Sequence, residues 1–286
     1  MLAFSVATLT DFGRASVATA SSLIQSVKPV AEAPTQVALP GLETGACMSL
    51  PPAGPGSEQT VFIDAGHGGL DPGVVGGGAN PVLEKDATLA VAVELSSLLR
   101  ADGYTVVMAR TADTTVVKLS SADSMLGSLT AEAEHRDLLE RADCANAAGA
   151  AVLVSIHFNA FDDPSVGGTE TYYDAARTYS AVNRRLAADL QSAMVAELGT
   201  SDRGTWTDDQ LAAPTLTRSG SQYGHLIELG PASSGWVDNP SRMPGALIEP
   251  LFISNPKEAQ LATSEPGQQR IASALETGIV QFLTTT

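Results

Sequence analysis

Basic residues are scarce in this chain. Only 16 Lys and Arg stand against 32 Asp and Glu, a formal net charge of −16 over 286 residues. That balance argues against a nucleic-acid partner and against an anionic membrane surface, both of which recruit Lys and Arg. Long apolar runs are missing as well. None approaches the roughly 18 residues needed to cross a bilayer, so no membrane span is expected. Cysteine is limited to Cys47 and Cys144, with no CxxC pair. A zinc site on two cysteines would need further ligands close by. The even count favours one disulfide, closing a long loop and worth roughly 4 kcal/mol; two unrelated buried thiols are the alternative. GxGxxG and GxxxxGK[ST] are absent, which sets aside a nucleotide-binding glycine loop. No Gly-x-Ser-x-Gly elbow of a serine hydrolase is present either. We find no internal repeat.

What is present is a chain of 44% hydrophobic residues, enough to bury a core. Residues 1–58 are rich in Ala, Ser, Thr and Pro and close on LPPAGPGSEQ, the composition of a tail or linker. Their first twenty residues carry a weak apolar stretch and an Ala-x-Ala-like tail at Val17-Ala18-Thr19-Ala20, without a basic n-region. They read either as a remnant of an export signal or as a disordered tail. Thr44-Gly45-Ala46-Cys47 is not read as a lipoprotein box, because no apolar run precedes it.

From residue 59 the pattern changes to apolar runs alternating with amphipathic stretches, the signature of α/β layering. Six strands are expected, at 60–65, 104–109, 150–156, 168–173, 224–229 and 246–249. The runs at 104–109 and 150–156 are almost continuously apolar, as strands covered on both faces are. Helices are expected over 85–101, 134–148, 177–198 and 265–283. The first of these sets Val91, Leu95, Leu98 and Leu99 at helical spacing, and the second Leu138, Leu139 and Ala142. The fold class is therefore α/β: one domain over 59–286, with a twisted, mostly parallel mixed sheet of about six strands flanked by helices.

Chemistry-bearing residues stand where these strands end. In VFIDAGHGGLDPG the first strand runs into His67 among glycines; the third runs into His157, and the last into Glu249. Ligand sites in open α/β sheets form at the carboxyl ends of strands. Glu84, at the start of the first helix, offers a third donor. Two histidines and a glutamate with one position open form a catalytic zinc arrangement, and Glu249 is then free to act as a general base. Each residue also has an ordinary role. A histidine by a glycine loop can be a hydrogen-bonder, a glutamate at a helix start suits the dipole, and a carboxylate at a strand end can be solvated.

Four motifs carry a resemblance. They are Ile63-Asp64-Ala65-Gly66-His67-Gly68-Gly69, Leu83-Glu84-Lys85-Asp86, Ser155-Ile156-His157-Phe158-Asn159-Ala160 and the run from Ile248-Glu249-Pro250 to Ser254-Asn255-Pro256. In this order the chain, over roughly residues 60–284, resembles the zinc-dependent N-acetylmuramoyl-L-alanine amidases of the amidase 3 family. Arg141 to Asn146 and Asp202-Arg203-Gly204 are similar to further family segments. The resemblance implies one zinc ion on His67, Glu84 and His157, with Glu249 as the catalytic glutamate. It also implies a peptidoglycan or muropeptide substrate and an exported protein, periplasmic or associated with the cell wall. A monomer is expected.

The chain departs from that pattern in two places. Residues 111–136 are longer than the family connection and read as a lid or a surface elaboration, and residues 218–245 are expanded. The second expansion brings in Glu228, a rival to Glu249 for the base; Glu249 is preferred because Phe252-Ile253-Ser254-Asn255-Pro256 follows it. His135 and His225 are assigned structural roles, with His225 nearer the substrate. Trp206 and Trp236 are either packed loop residues or stacking surfaces for sugar or peptide. Two other functions remain open: a metal-free binding or regulatory protein, and a zinc hydrolase of another amide or ester.

Overall fold

The computed structural model describes residues 33–76, 81–210 and 222–285. In chain order the strands are β1 (Thr35–Gln36), β2 (Ala46–Leu50), β3 (Thr60–Ala65), β4 (Val75–Gly76), β5 (Val82–Leu83), β6 (Thr105–Arg110), β7 (Ser124–Met125), β8 (Ser128–Leu129), β9 (Val152–Ile156), β10 (Thr169–Tyr173), β11 (Asp202–Thr207) and β12 (Gly245–Glu249). The helices are α1 (Glu84–Ala101), α2 (Ala131–Ala147), α3 (Ser180–Leu198), α4 (Pro256–Thr263) and α5 (Glu265–Thr284). Eight strands form one sheet in the order β1-β2-β6-β3-β9-β12-β10-β11. Its centre, β6-β3-β9-β12, is parallel; β10 runs antiparallel to β12, and β2 antiparallel to β6.

Residue alternation along the central strands separates two cores. Val61, Ile63, Val106, Met108, Val152, Val154 and Ile248 pack with α1, α3 and α5 on one face. Phe62, Val107, Leu153 and Leu247 turn to the other face, where they meet Cys144 and Ala145 of α2 together with Leu229 and Met243. Both faces are covered, which is why these strands read as continuous apolar runs.

Two expectations are corrected. The 224–229 run is not a strand; it forms turns against the α2 face of the sheet. Both edges of β12 are already taken, by β9 and β10, so no place beside it is open. The described part of the expected tail, residues 33–58, supplies β1 and β2, which extend the sheet beyond β6. A disulfide between Cys47 and Cys144, with Cα atoms 5.8 Å apart, ties β2 to α2. Residues 1–32 lie outside the described residues. The sheet gains β1, β2 and β11 over the expected set, and α4 is a further helix.

Candidate metal centre

Three parallel strands deliver their carboxyl ends to one place. The chain leaves β3 through Gly66, whose N–H donates to the Ile156 carbonyl at 3.0 Å, and arrives at His67. It leaves β9 at His157, whose N–H donates to the Ile248 carbonyl at 3.0 Å. Glu84 opens α1, and Glu249 ends β12. The glycines clear the space between these residues. A Cβ on Gly66 would run into the His157 ring, and one on Gly73 into Glu84 and the His67 ring. The loop is bare of side chains because donor atoms must approach closely there.

The donor atoms do converge. His67 Nε2 and Glu84 Oε1 are 3.1 Å apart, His157 Nδ1 and Glu84 Oε1 3.0 Å, and His157 Nδ1 and His67 Nε2 3.1 Å. Tetrahedral ligands bonded at 2.0–2.1 Å stand about 3.3 Å from one another, so a zinc-sized ion suits this spacing. The outer contacts fit as well. His67 Nδ1 donates to Asp71 Oδ2 at 2.7 Å, which leaves the Nε2 lone pair facing the centre. Glu84 Oε2 accepts from the Val74 N–H at 2.8 Å, and Oε1 from the Phe158 N–H at 2.9 Å. Burial alone would lower the His67 pKa, but Glu84 and Asp71 override it and push it up to about 10. Burial opposes ionisation of Glu84, yet His67 and His157 hold it well below the usual carboxylate range. This is a field that stabilises positive charge between the two imidazoles.

Two buried arginines hold the loop from beneath. Arg110 donates to the carbonyls of Ala65, Gly66 and Lys85 at 2.9, 3.0 and 2.7 Å. Arg141 donates to Asp64 Oδ1 at 2.6 Å, to Asp137 Oδ2 at 2.8 Å and to the His67 carbonyl at 2.9 Å. Their forks supply the loop carbonyls with fixed donors that a lysine could not reproduce.

The cavity above the triad, of about 230 Å³, is lined by His67, Glu84, His157 and Glu249, and also by Glu228 and Glu134. Burial, followed by Glu84 and Glu170, pushes the Glu249 carboxyl well above its ordinary range. Glu249 Oε2 has no hydrogen-bond partner among the described residues, so it is free to take one from substrate or water. Glu228 is raised too, by burial and then by Asp64, the carboxylate that Arg141 holds ionised. It faces the Asp64–Arg141 pair on the cavity wall. Burial and Asp71 move Glu134 up to about 7.

The long 111–136 segment forms the β7–β8 hairpin and the first turn of α2. Leu129 and Glu134 bring it to the cavity rim, and Asp137 pins it by accepting from the Val116 and Val117 N–H groups at 2.7 and 2.8 Å. His135 is buried, with Nε2 donating to the Trp236 carbonyl at 2.7 Å. Trp206 is exposed on β11. His225 lies apart from the triad, beside Asp174 and Asp208. Sequence reading missed Asp71, Arg110 and Glu134, and named Arg141 only as part of a family-like segment. Of the first three only Asp71 left a signal, at four residues from His67.

Residues 61–281 match the family described as N-acetylmuramoyl-L-alanine amidase. The chain is 31% identical over 230 residues to the germination-specific N-acetylmuramoyl-L-alanine amidase of Bacillus subtilis, covering 80% of this chain and 82% of that one. It is 32% identical over 225 residues to the amidase LytC of the same bacterium, covering 78% of this chain but only 35% of LytC. The CwlD amidase of Clostridioides difficile, solved in complex with the GerS lipoprotein, shares the fold with a TM-score of 0.61. It is 26% identical, over 79% of this chain and 99% of that one.

Proposed function

The chain belongs to the amidase 3 family of N-acetylmuramoyl-L-alanine amidases, and from that premise we propose that it hydrolyses the amide joining N-acetylmuramic acid to the L-alanine of the stem peptide in peptidoglycan. The observation that carries the reading is the convergence of His67, Glu84 and His157 within 3.1 Å of one another, in a cavity that also holds Glu249. These three side chains would hold one zinc ion. When bound, zinc supplies Lewis-acid polarisation of a carbonyl and acidifies water toward neutral pH. The chain's own groups do the rest. Asp71 fixes the His67 tautomer, and the Val74 and Phe158 N–H groups aim the Glu84 carboxylate. Glu249, with a free oxygen in the cavity, acts in its ionised form: it takes the proton of the attacking water and returns it to the departing alanine nitrogen.

A wall substrate supports an exported protein, periplasmic or associated with the cell wall, and a disulfide suits an oxidising compartment. We read the working form as a monomer. The test is a digest of purified sacculi analysed by mass spectrometry. Stem peptides with free L-alanine amino ends, together with glycan strands stripped of peptide, are expected. New reducing sugar ends, or cleavage inside the stem, would reject the assignment. Glu249→Gln should retain zinc and lose turnover.

A further inference from the structure

Among the described residues, a second set of side chains converges as the first does. Asp174 follows β10, Asp208 follows β11, and His225 lies in the turns of 222–230. β10 and β11 are parallel to each other, and β10 opposes β12. Their carboxyl ends therefore lie at the end of the sheet away from His67 and His157. His225 Nδ1 is 2.9 Å from Asp174 Oδ2 and 3.5 Å from Asp208 Oδ2. The two carboxylates are 0% and 1% exposed.

Carboxylates this deeply buried need partners. Asp174 Oδ1 has them, accepting from the Ala176 and Arg177 N–H groups at 2.7 and 2.9 Å. Asp208 Oδ2 accepts from the Leu226 N–H at 3.0 Å. Asp174 Oδ2 and His225 Nδ1 have no hydrogen-bond partner among the described residues, and their mutual approach lacks hydrogen-bond geometry. Arg177 does not neutralise the pair. Its guanidinium donates to the Leu229, Gly230 and Ser241 carbonyls and to the Tyr179 hydroxyl. Two buried acids and an imidazole thus direct lone pairs at one point, at the spacing of ligands on a single ion.

We propose that Asp174, Asp208 and His225 bind a second divalent cation, of the zinc-like transition-metal class, with a structural role. Two carboxylates match the charge of a divalent ion. The imidazole disfavours calcium and magnesium, which take oxygen ligands. The ion joins β10, β11 and the 222–230 turns. The next residues, Leu226 to Leu229, line the cavity above the first triad, so the second ion braces that wall. The proposal does not depend on the hydrolase reading.

Zinc counted per chain in the full-length protein, after saturation and desalting, decides it. The wild type is expected to hold two equivalents, His67→Ala one, and His67→Ala combined with His225→Ala none. A His67→Ala chain that holds no zinc, or whose zinc survives His225→Ala, overturns the proposal. A second reading avoids disturbing the His67 loop. Calorimetric titration of the wild type with zinc should show two binding steps, and the near-isosteric Asp174→Asn should lose one of them. A profile that Asp174→Asn leaves unchanged equally overturns the assignment.

Discussion

His67 sits at φ 63°, a left-handed conformation that a residue with a side chain adopts at a cost of about 1–3 kcal/mol. The Arg141 fork on its carbonyl and the Asp71 carboxylate on its ring hold it there. Gly66 beside it has no such latitude, because a methyl group would occupy the space of the His157 ring. Gly66→Ala should therefore displace one donor and lower turnover at least ~100-fold, the scale of a misplacement of about 1 Å. Zinc content should fall with it, and a variant that keeps both would show that the loop can yield. Of the glutamates on the cavity, Glu228 is the one whose protonation can be tested through stability. Glu228 has its folded pKa raised above 4.5, so the native state binds the extra proton and stability falls as pH climbs from about 4.5 through the folded value. Glu228→Gln should flatten that fall in melting curves taken from about pH 5 to 9, with turnover kept within about tenfold. A steep unchanged slope would assign the fall to another group. That His67, Glu84, His157 and Glu249 meet at one cavity was legible, because strand ends, a helix start and glycines mark them. The roles of Arg110 and Arg141 beneath the loop were not, since nothing local distinguishes a buried guanidinium from a surface one.

At the level of elements, long periodic segments read well: α1 and α5 were located to within a residue or so, because their apolar positions recur at helical spacing. β2 was read as linker, because ACMSL is short and becomes a strand only by pairing with β6, which lies 55 or more positions further along the chain. The 224–229 run failed in the opposite direction. His-Leu-Ile-Glu-Leu is apolar enough for a strand, but Gly224, at φ 81°, starts it in a turn conformation, and both sides of β12 are already paired. The disulfide binds β2 to the domain beside its ladder with β6. Its sequence separation of 97 gives a chain-entropy stabilisation of about 4–5 kcal/mol. Replacing Cys47 and Cys144 by alanine should lower the melting temperature by roughly 10–15 °C at the usual scaling for a domain of this size. Turnover at room temperature should change little, since neither cysteine lines the cavity. A melting temperature unmoved by reduction or by the double substitution would mean that the β2–β6 ladder holds the edge unaided.

The whole molecule carries a formal charge of −16, and that sets how it meets an anionic wall polymer. At low ionic strength the repulsion reaches far, because the screening length is about 30 Å at 0.01 M and about 8 Å at 0.15 M. Encounter with intact sacculi should therefore be slow in dilute buffer and quicken as salt is added. Chemistry inside the cavity should not respond in the same way, because the triad side chains are only 3–16% exposed. The two contributions separate when substrate size is varied. With intact sacculi, kcat/KM should rise several-fold between about 0.01 and 0.15 M salt, the range over which the screening length shrinks. With a single soluble muropeptide it should stay nearly flat. A fall with salt on sacculi would reveal a local cationic surface that grips the wall despite the net charge. An equal rise on both substrates would move the salt effect into the cavity itself. The first pattern is the one expected of an acidic catalyst that reaches its polymer by diffusion rather than by electrostatic capture.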